Sequence, residues 1–246
     1  MADDRPLEGR IALVTGASRG LGYAAALGLA KAGAHVIATA RTVGGLEELD
    51  DEIREIGGST TLVPLDITDY DGIDRLGGAI HERWGRLDAL LGNAGELGVI
   101  TPVTHMAPKD FDKVMAVNVT ANWRLMRSTE PLLRASDAGR ALFVSSGAVQ
   151  SRRPFTGPYA ASKAALETLV TVWAKEMAKS SVRANLLDPA TVRTRMRAKY
   201  RPGEDPKTVP APETVVPAIV SALSPVCDRN AQIWRQSVGT WEELDA

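Results

Sequence analysis

The sequence predicts an α/β fold, a parallel sheet covered on both faces by helices. Three observations predict it. Short, nearly continuous apolar runs alternate with helical segments along the chain, the pattern of strands buried on both sides. No linker, repeat or low-complexity block interrupts the alternation, so residues 1–246 are expected to form one domain. The composition, 44% hydrophobic and 24% charged, is that of a globular protein with a real core.

The elements follow in order. IALV at 11–14 is a compact apolar run and predicts the first strand. Residues 20–32 are rich in Ala and Leu and predict a helix that Gly33 stops. HVIATA at 35–40 is the second strand; Leu46, Leu49, Ile53 and Ile56 then recur at helical spacing. TLVPLD at 61–66 predicts a third strand, followed by a helix to about Trp84. LDALLGN at 87–93 is the fourth strand, and a long helical pattern runs from about Pro108 to Leu133. ALFVS at 141–145, a helix over 158–179 and VRANLL at 182–187 complete the sixth strand, with QIWRQSV at 232–238 a candidate seventh. Residues 201–212 hold four prolines and read as a loop, and Pro217 blurs the start of the helix beyond them.

Charge and composition exclude several functions. The net charge is −1, without the basic surplus expected of a nucleic-acid binder. The single cysteine, Cys227, permits no intrachain disulfide and fits a reducing compartment. His35, His81 and His105 lack metal-ligand spacing, so no metal site is expected. MADDRPLEGR carries no apolar signal core, and the small-apolar stretch 23–40 is broken by Lys31 and His35. A cytoplasmic location with no membrane partner is expected.

TGASRGLG at 15–22 follows the first strand and opens a helix. Gly16, Gly20 and Gly22 suit a tight turn that lets backbone approach a pyrophosphate at a helix N-terminus. Glycines also end strands for structural reasons, so the turn gains meaning from its strand–turn–helix setting. The second strand ends in Ala40 and Arg41, where an acidic residue would bond a ribose 2′-hydroxyl. The missing carboxylate, with Arg41 and Arg19 nearby, favours NADP(H), with NAD(H) as the other possibility. On the alternative reading, Arg41 is a solvated residue after a strand.

Taken together, TGASRGLG, Asp66 in PLDIT, NAG at 93–95, Asn118 in VNV, Ser146 in VSSG and YAASK at 159–163 resemble the short-chain dehydrogenase/reductase family over most of the chain. The resemblance implies a single-domain Rossmann fold, a doubly wound seven-stranded parallel sheet, and oxidoreductase activity between nicotinamide and a carbonyl or secondary alcohol. It implies a catalytic tetrad of Asn118, Ser146, Tyr159 and Lys163. Ser146 rather than Ser145 matches the family's spacing to the tyrosine, and neighbouring strand residues face opposite sides. The implied cofactor contacts are Gly16, Ser18, Arg19, Gly20, Leu21 and Gly22 in the turn, then Arg41, Asp66 and Ile67. Asn93, Ala94 and Gly95 would line the cleft, and Tyr159, Lys163, Pro189 and Thr194 would complete it.

The chemistry requires these groups. A free phenol has a pKa of about 10 and must fall by a few units to exchange protons near neutrality, roughly 4 kcal/mol of differential stabilisation. Lys163, one helical turn from Tyr159, is expected to supply part of it. The resemblance also implies that Asn118 would fix a water that relays protons to Lys163. Taken alone, Tyr159 and Lys163 read as a surface pair, and Asn118 as a buried structural asparagine.

Three positions depart from the family pattern. Ala190 stands where glycine is usual, so a left-handed backbone there would be strained. Gly92 replaces the common asparagine before NAG, and the tail SVGTWEELDA lacks a glycine-rich close. Gly92 is expected to matter little, but Ala190 and the tail keep a second function open, a catalytically weak cofactor-binding sensor or interaction protein. The region 190–212 corresponds to the family's substrate lid. Its basic residues Arg193, Arg195, Arg197, Lys199 and Arg201 distribute over two helix faces and read as solvated, although a basic lid would also suit an anionic substrate. The resemblance implies a homodimer or homotetramer joined through the helices at 108–133 and 158–179. Met126, Leu132, Leu166, Leu169 and Trp173 are candidates there for interface or core.

Overall fold

The computed structural model describes residues 5–244; residues 1–4 and 245–246, part of the expected domain, lie outside them. Ile11–Thr15 (β1) is buried along its whole length, and so carries no polar alternation. It is followed by α1 (Gly20–Lys31), β2 (His35–Ala40), α2 (Val43–Glu55) and β3 (Ser59–Pro64). Next come α3 (Tyr70–Trp84), β4 (Ala89–Gly92), α4 (Pro108–Met115) and α5 (Ala121–Arg134). After β5 (Arg140–Val144), the short α6 (Ala148–Ser151) precedes α7 (Gly157–Glu176) and β6 (Arg183–Asp188). The chain closes with α8 (Arg195–Tyr200), α9 (Val216–Leu223), β7 (Gln232–Arg235) and β8 (Thr240–Glu243).

The sheet runs β3-β2-β1-β4-β5-β6-β7-β8. Leu13 pairs with Ile37 of β2 and Leu90 of β4, so β1 is central. One face is packed by α1, α2 and α9 through Leu29, Leu46, Leu49, Ile53 and Ile219. The other is packed by α3, α5 and α7 through Ile73, Ile80, Leu125, Leu166 and Val170. The result is the doubly wound open sheet that the alternating pattern predicts.

The expected seven parallel strands are present, and the sheet has one strand more. The run at 232–238 is strand only to Arg235; the chain turns at Gly239 and returns as antiparallel β8. Trp234 and Trp241 stack edge to face across the hairpin at 5.7 Å. The tail therefore replaces a glycine-rich close with a paired aromatic hairpin. The long helix at 108–133 is also not continuous. Ala116–Thr120 forms a π-helical turn between α4 and α5, and Asn118 lies within it. Such turns interrupt α-helices most often at functional positions.

The succession reverses between β1 and β4, where crossovers leave on opposite faces and open a crevice at the strands' carboxyl ends. Among the described residues, no helix is long and apolar enough to cross a membrane.

Candidate active site

That crevice is a cavity of about 900 Å³, bounded by the ends of the parallel strands at Thr15, Ala40, Asn93, Val144 and Asp188. From the glycine turn, Gly16, Ser18, Arg19, Gly20 and Leu21 line it. Arg41, Asp66 and Ile67 line the next wall, and Ala94 and Gly95 the centre. Ser146, Tyr159 and Lys163 stand beyond, with Pro189 and Thr194 opposite. Two of the expected residues do not line the cavity, Gly22 and Asn118. Gly22 lies behind the turn, where its missing side chain lets the Gly16 carbonyl and Asn93 Nδ2 close in. Asn118 is fully buried.

Asn118 is held by bonds to its surroundings. Its Oδ1 accepts from the Glu96 amide at 2.8 Å, and its Nδ2 donates to the Glu96 carbonyl at 2.8 Å and to Ser162 Oγ at 2.9 Å. The side chain is committed to those bonds and clamps the segment after Asn93-Ala94-Gly95. The clamp brings Gly95 between Asn118 and Lys163, since a Cβ on Gly95 would lie 3.5 Å from Asn118 Oδ1 and 3.6 Å from Lys163 Nζ.

β5 ends at Val144, so both serines lie beyond the strand, and both border the cavity. Ser145 is buried and donates to Glu167 Oε1 on α7 at 2.5 Å, while Ser146 is half-buried. Lys163 is 3% exposed, and its Nζ donates to the Val144 carbonyl at 2.7 Å, with the ammonium 6.0 Å from the Tyr159 ring centre. Burial pulls Lys163 down to about 8, with the Glu167 charge working the other way.

At Tyr159 three influences act on the phenol. Burial pushes its phenol above the ordinary value, the Ser146 hydroxyl pulls it down, and Asp188 pushes it up again. Among the protein's own groups, Lys163 does not reverse this balance. A phenol raised in this way is suited to donating a proton rather than taking one.

Sequence reasoning missed several supports. Thr15 Oγ1 accepts from the amides of Asn93 and Ala94, both at 3.0 Å, while Asn93 Nδ2 donates to the Thr15 carbonyl at 2.9 Å. These bonds tie β1 to the turn after β4. A threonine closing a strand carries no motif; only the β1–β4 pairing reveals its partner. Gly92 also has a reason, because any side chain there would strike the Phe143 ring. Ala190 does adopt the left-handed conformation, at φ +57, at a cost of roughly 1–2 kcal/mol. Its amide donates to Asp188 Oδ1 at 3.0 Å.

Helix α8 is better anchored than a solvated basic segment. Arg197 Nη2 and Nε reach Glu204 at 2.5 and 2.6 Å, and Lys199 lies 3.8 Å from Glu96 across the cavity mouth. Arg193 donates its amide to the Pro210 carbonyl at 2.8 Å, so the proline-rich loop is pinned beside α8.

The site accommodates a dinucleotide on its own geometry. α1 begins at the cavity with no side-chain cap and no acid in its first turn, leaving its N-terminal amides for an anion. Partial burial pushes the Asp66 carboxyl up, but the Thr68 amide and hydroxyl, Arg41 and Lys113 outweigh it and leave it below the ordinary value. Arg41 Nη1 lies 3.8 Å from Asp66 Oδ2. Both are largely exposed, so this pair is weak and leaves the guanidinium free to turn.

The fold and cavity define an open-sheet α/β protein with a nucleotide crevice and a Ser-Tyr-Lys wall. The chain belongs to the short chain dehydrogenase family, whose model matches residues 10–205, and is an oxidoreductase of that type. It is 37% identical over 214 residues to the Escherichia coli (strain K12) protein described as uncharacterized oxidoreductase YciK, covering 86% of this chain and 84% of that protein. It is 33% identical to a fatty acyl-CoA reductase of Acinetobacter baylyi, covering 87% of this chain and 74% of the relative. Among solved structures, a Shigella flexneri short chain dehydrogenase complexed with NADP superposes with a TM-score of 0.91 at 33% identity, covering 96% of this chain and all of that one. One from Escherichia coli CFT073 complexed with NADPH gives 0.89 at 34%, covering 95% and 99%.

Proposed function

We propose that the protein is a cytoplasmic NADP(H)-dependent oxidoreductase acting between a carbonyl compound and its secondary alcohol. One observation carries the reading: Ser146, Tyr159 and Lys163 share one wall of a cavity whose far end is the glycine turn with Arg19 and Arg41. A nicotinamide cofactor bound there supplies or accepts the hydride. Ser146 Oγ holds the substrate oxygen. Tyr159 Oη gives that oxygen its proton in reduction and takes it back in oxidation. Lys163 would hold the nicotinamide ribose, and Asn118 positions the Asn93–Glu96 segment that lines the cavity. Residues 190–212 form the substrate lid of a single domain.

The NADP(H) preference rests on Ala40 and Arg41 at the end of β2, where no carboxylate opposes a 2′-phosphate. Arg41→Asp is expected to weaken NADPH by about tenfold or more and to improve NADH. Tryptophan-fluorescence titration with both cofactors measures the ratio. An unchanged ratio would remove Arg41 from the site. Turnover of a carbonyl panel with NADPH tests the reading as a whole.

The protein also assembles with itself, as a dimer or tetramer, through α4, α5 and α7. Met126, Leu132, Leu166 and Trp173 are core residues, each at most 6% exposed, and so do not supply the contact. Phe111, Trp123 and Val172 on the same helices are 42–50% exposed and do. Light scattering is expected to give a multiple of 26.2 kDa. A single-chain mass at micromolar concentration would contradict assembly.

A further inference from the structure

We propose that Asp188, held by Arg235, is a positioning residue for the reaction: it seats the turns beside the reacting hydroxyls and sets a fixed negative charge beneath them. The inference rests on the oxidoreductase reading of this cavity. Asp188 closes β6 and borders the cavity, yet is only 5% exposed. Its Oδ1 accepts from the Ala190 amide at 3.0 Å, which anchors that residue in its strained conformation. Its Oδ2 lies beneath the turn that follows Ser146, since a Cβ on Gly147 would sit 3.2 Å away.

The third partner comes from the other side of the sheet register. Arg235 is the direct partner of Asp188 in the β6–β7 pairing, is 5% exposed, and places Nη1 3.5 Å from Oδ2. Its Nε donates to Glu242 Oε2 on β8 at 3.0 Å. Two acids therefore share one buried guanidinium, and the charge of Asp188 is only partly cancelled. From α7 three titratable groups face the same region. Glu167 is occupied by Ser145, Lys163 by the Val144 carbonyl, and Tyr159 by the Ser146 hydroxyl. Burial pushes Glu167 up, Ser145 and Arg235 draw it down, and Asp188 raises it.

The consequence for Tyr159 has a definite sign. Asp188 pushes the phenol up, in the same direction as burial. Removing that charge lets the proton leave at lower pH. Carbonyl reduction needs the phenol and is lost as pH rises through its pKa; alcohol oxidation needs the phenolate and is gained there. Both limbs move together.

The test is the pH–rate profile of Asp188→Asn, whose amide oxygen still accepts from Ala190. Both limbs are expected to move to lower pH by about half to one unit. Arg235→Gln, which removes the countercharge, is expected to move them to higher pH. Asp188→Ala also loses the acceptor, and kcat is expected to fall by about tenfold beyond the asparagine variant. A uniformly lower kcat with unmoved limbs in Asp188→Asn would leave only a structural role and overturn the proposal. Ultraviolet titration of the phenol, isolated by subtracting Tyr159→Phe, reads the same shift without turnover. If no carbonyl compound is reduced, the functional reading fails, and this titration still decides the charge on Tyr159.

Discussion

Tyr159→Phe is expected to lower carbonyl reduction by about 10³-fold or more while leaving NADPH affinity within about twofold of the wild type. The substitution removes one oxygen. The ring stays between α7 and the cavity, so the cofactor's walls at Gly20, Asn93 and Lys163 do not move. What is lost is the phenol that bonds the Ser146 hydroxyl, and the proton it delivers. Ser146 alone is a poor substitute, because an aliphatic hydroxyl is far too weak an acid to be matched to the task. The measurement pairs fluorescence titration with NADPH consumption on a substrate the wild type reduces. Retained binding with lost turnover supports the assignment. Retained turnover would move the acid elsewhere.

Gly22→Ala is expected to be the most damaging small substitution. A Cβ there overlaps the Gly16 carbonyl oxygen and Asn93 Nδ2, and lies 2.9 Å from the Gly16 carbonyl carbon. Backbone atoms cannot yield as a side-chain tip can, so the glycine turn and the Asn93 segment must separate. Overpacking of this kind costs about 1–3 kcal/mol, which in a chain of this size lowers Tm by roughly 2–12 °C. The same displacement carries the cavity's amides away from the pyrophosphate, and NADPH affinity is expected to fall by about tenfold or more. Gly78→Ala on α3, which meets nothing within 4 Å, is the control: Tm rises slightly and NADPH affinity is unchanged. Equal behaviour of the two variants would dismiss the close-packing argument.

Most of the fold was legible because its signals are local. Apolar runs such as IALV and HVIATA announce strands buried on both faces, and the glycine spacing after β1 announces the turn. The spacing of Ser146, Tyr159 and Lys163 is likewise carried by one strand end and one helix. What was not legible depends on register and side-chain direction. Asp188 and Arg235 become partners only through the pairing of β6 with β7. Thr15 gains its role only when β4 lies beside β1. Asn118 was placed by spacing, but its direction is set by Glu96 and Ser162, distant in sequence. The shift of Tyr159 was expected from a neighbouring lysine, whereas burial, invisible in a helix pattern, is the larger influence. β8 was overlooked because TWEE has neither length nor an apolar face of its own; it is strand because β7 is beside it.

The wide turn at Ala116–Thr120 changes what this part of the molecule tolerates. A residue removed from an ordinary α-helix rotates everything beyond it by about 100°. Here the turn already holds one residue more than an α-helix needs. Its loss would narrow the turn and leave Leu125, Met126 and Leu132 of α5 facing the sheet as before. The helix thus carries a spare place in its count, separable from the fold's phase, and the protein has given that place to the asparagine that holds Glu96.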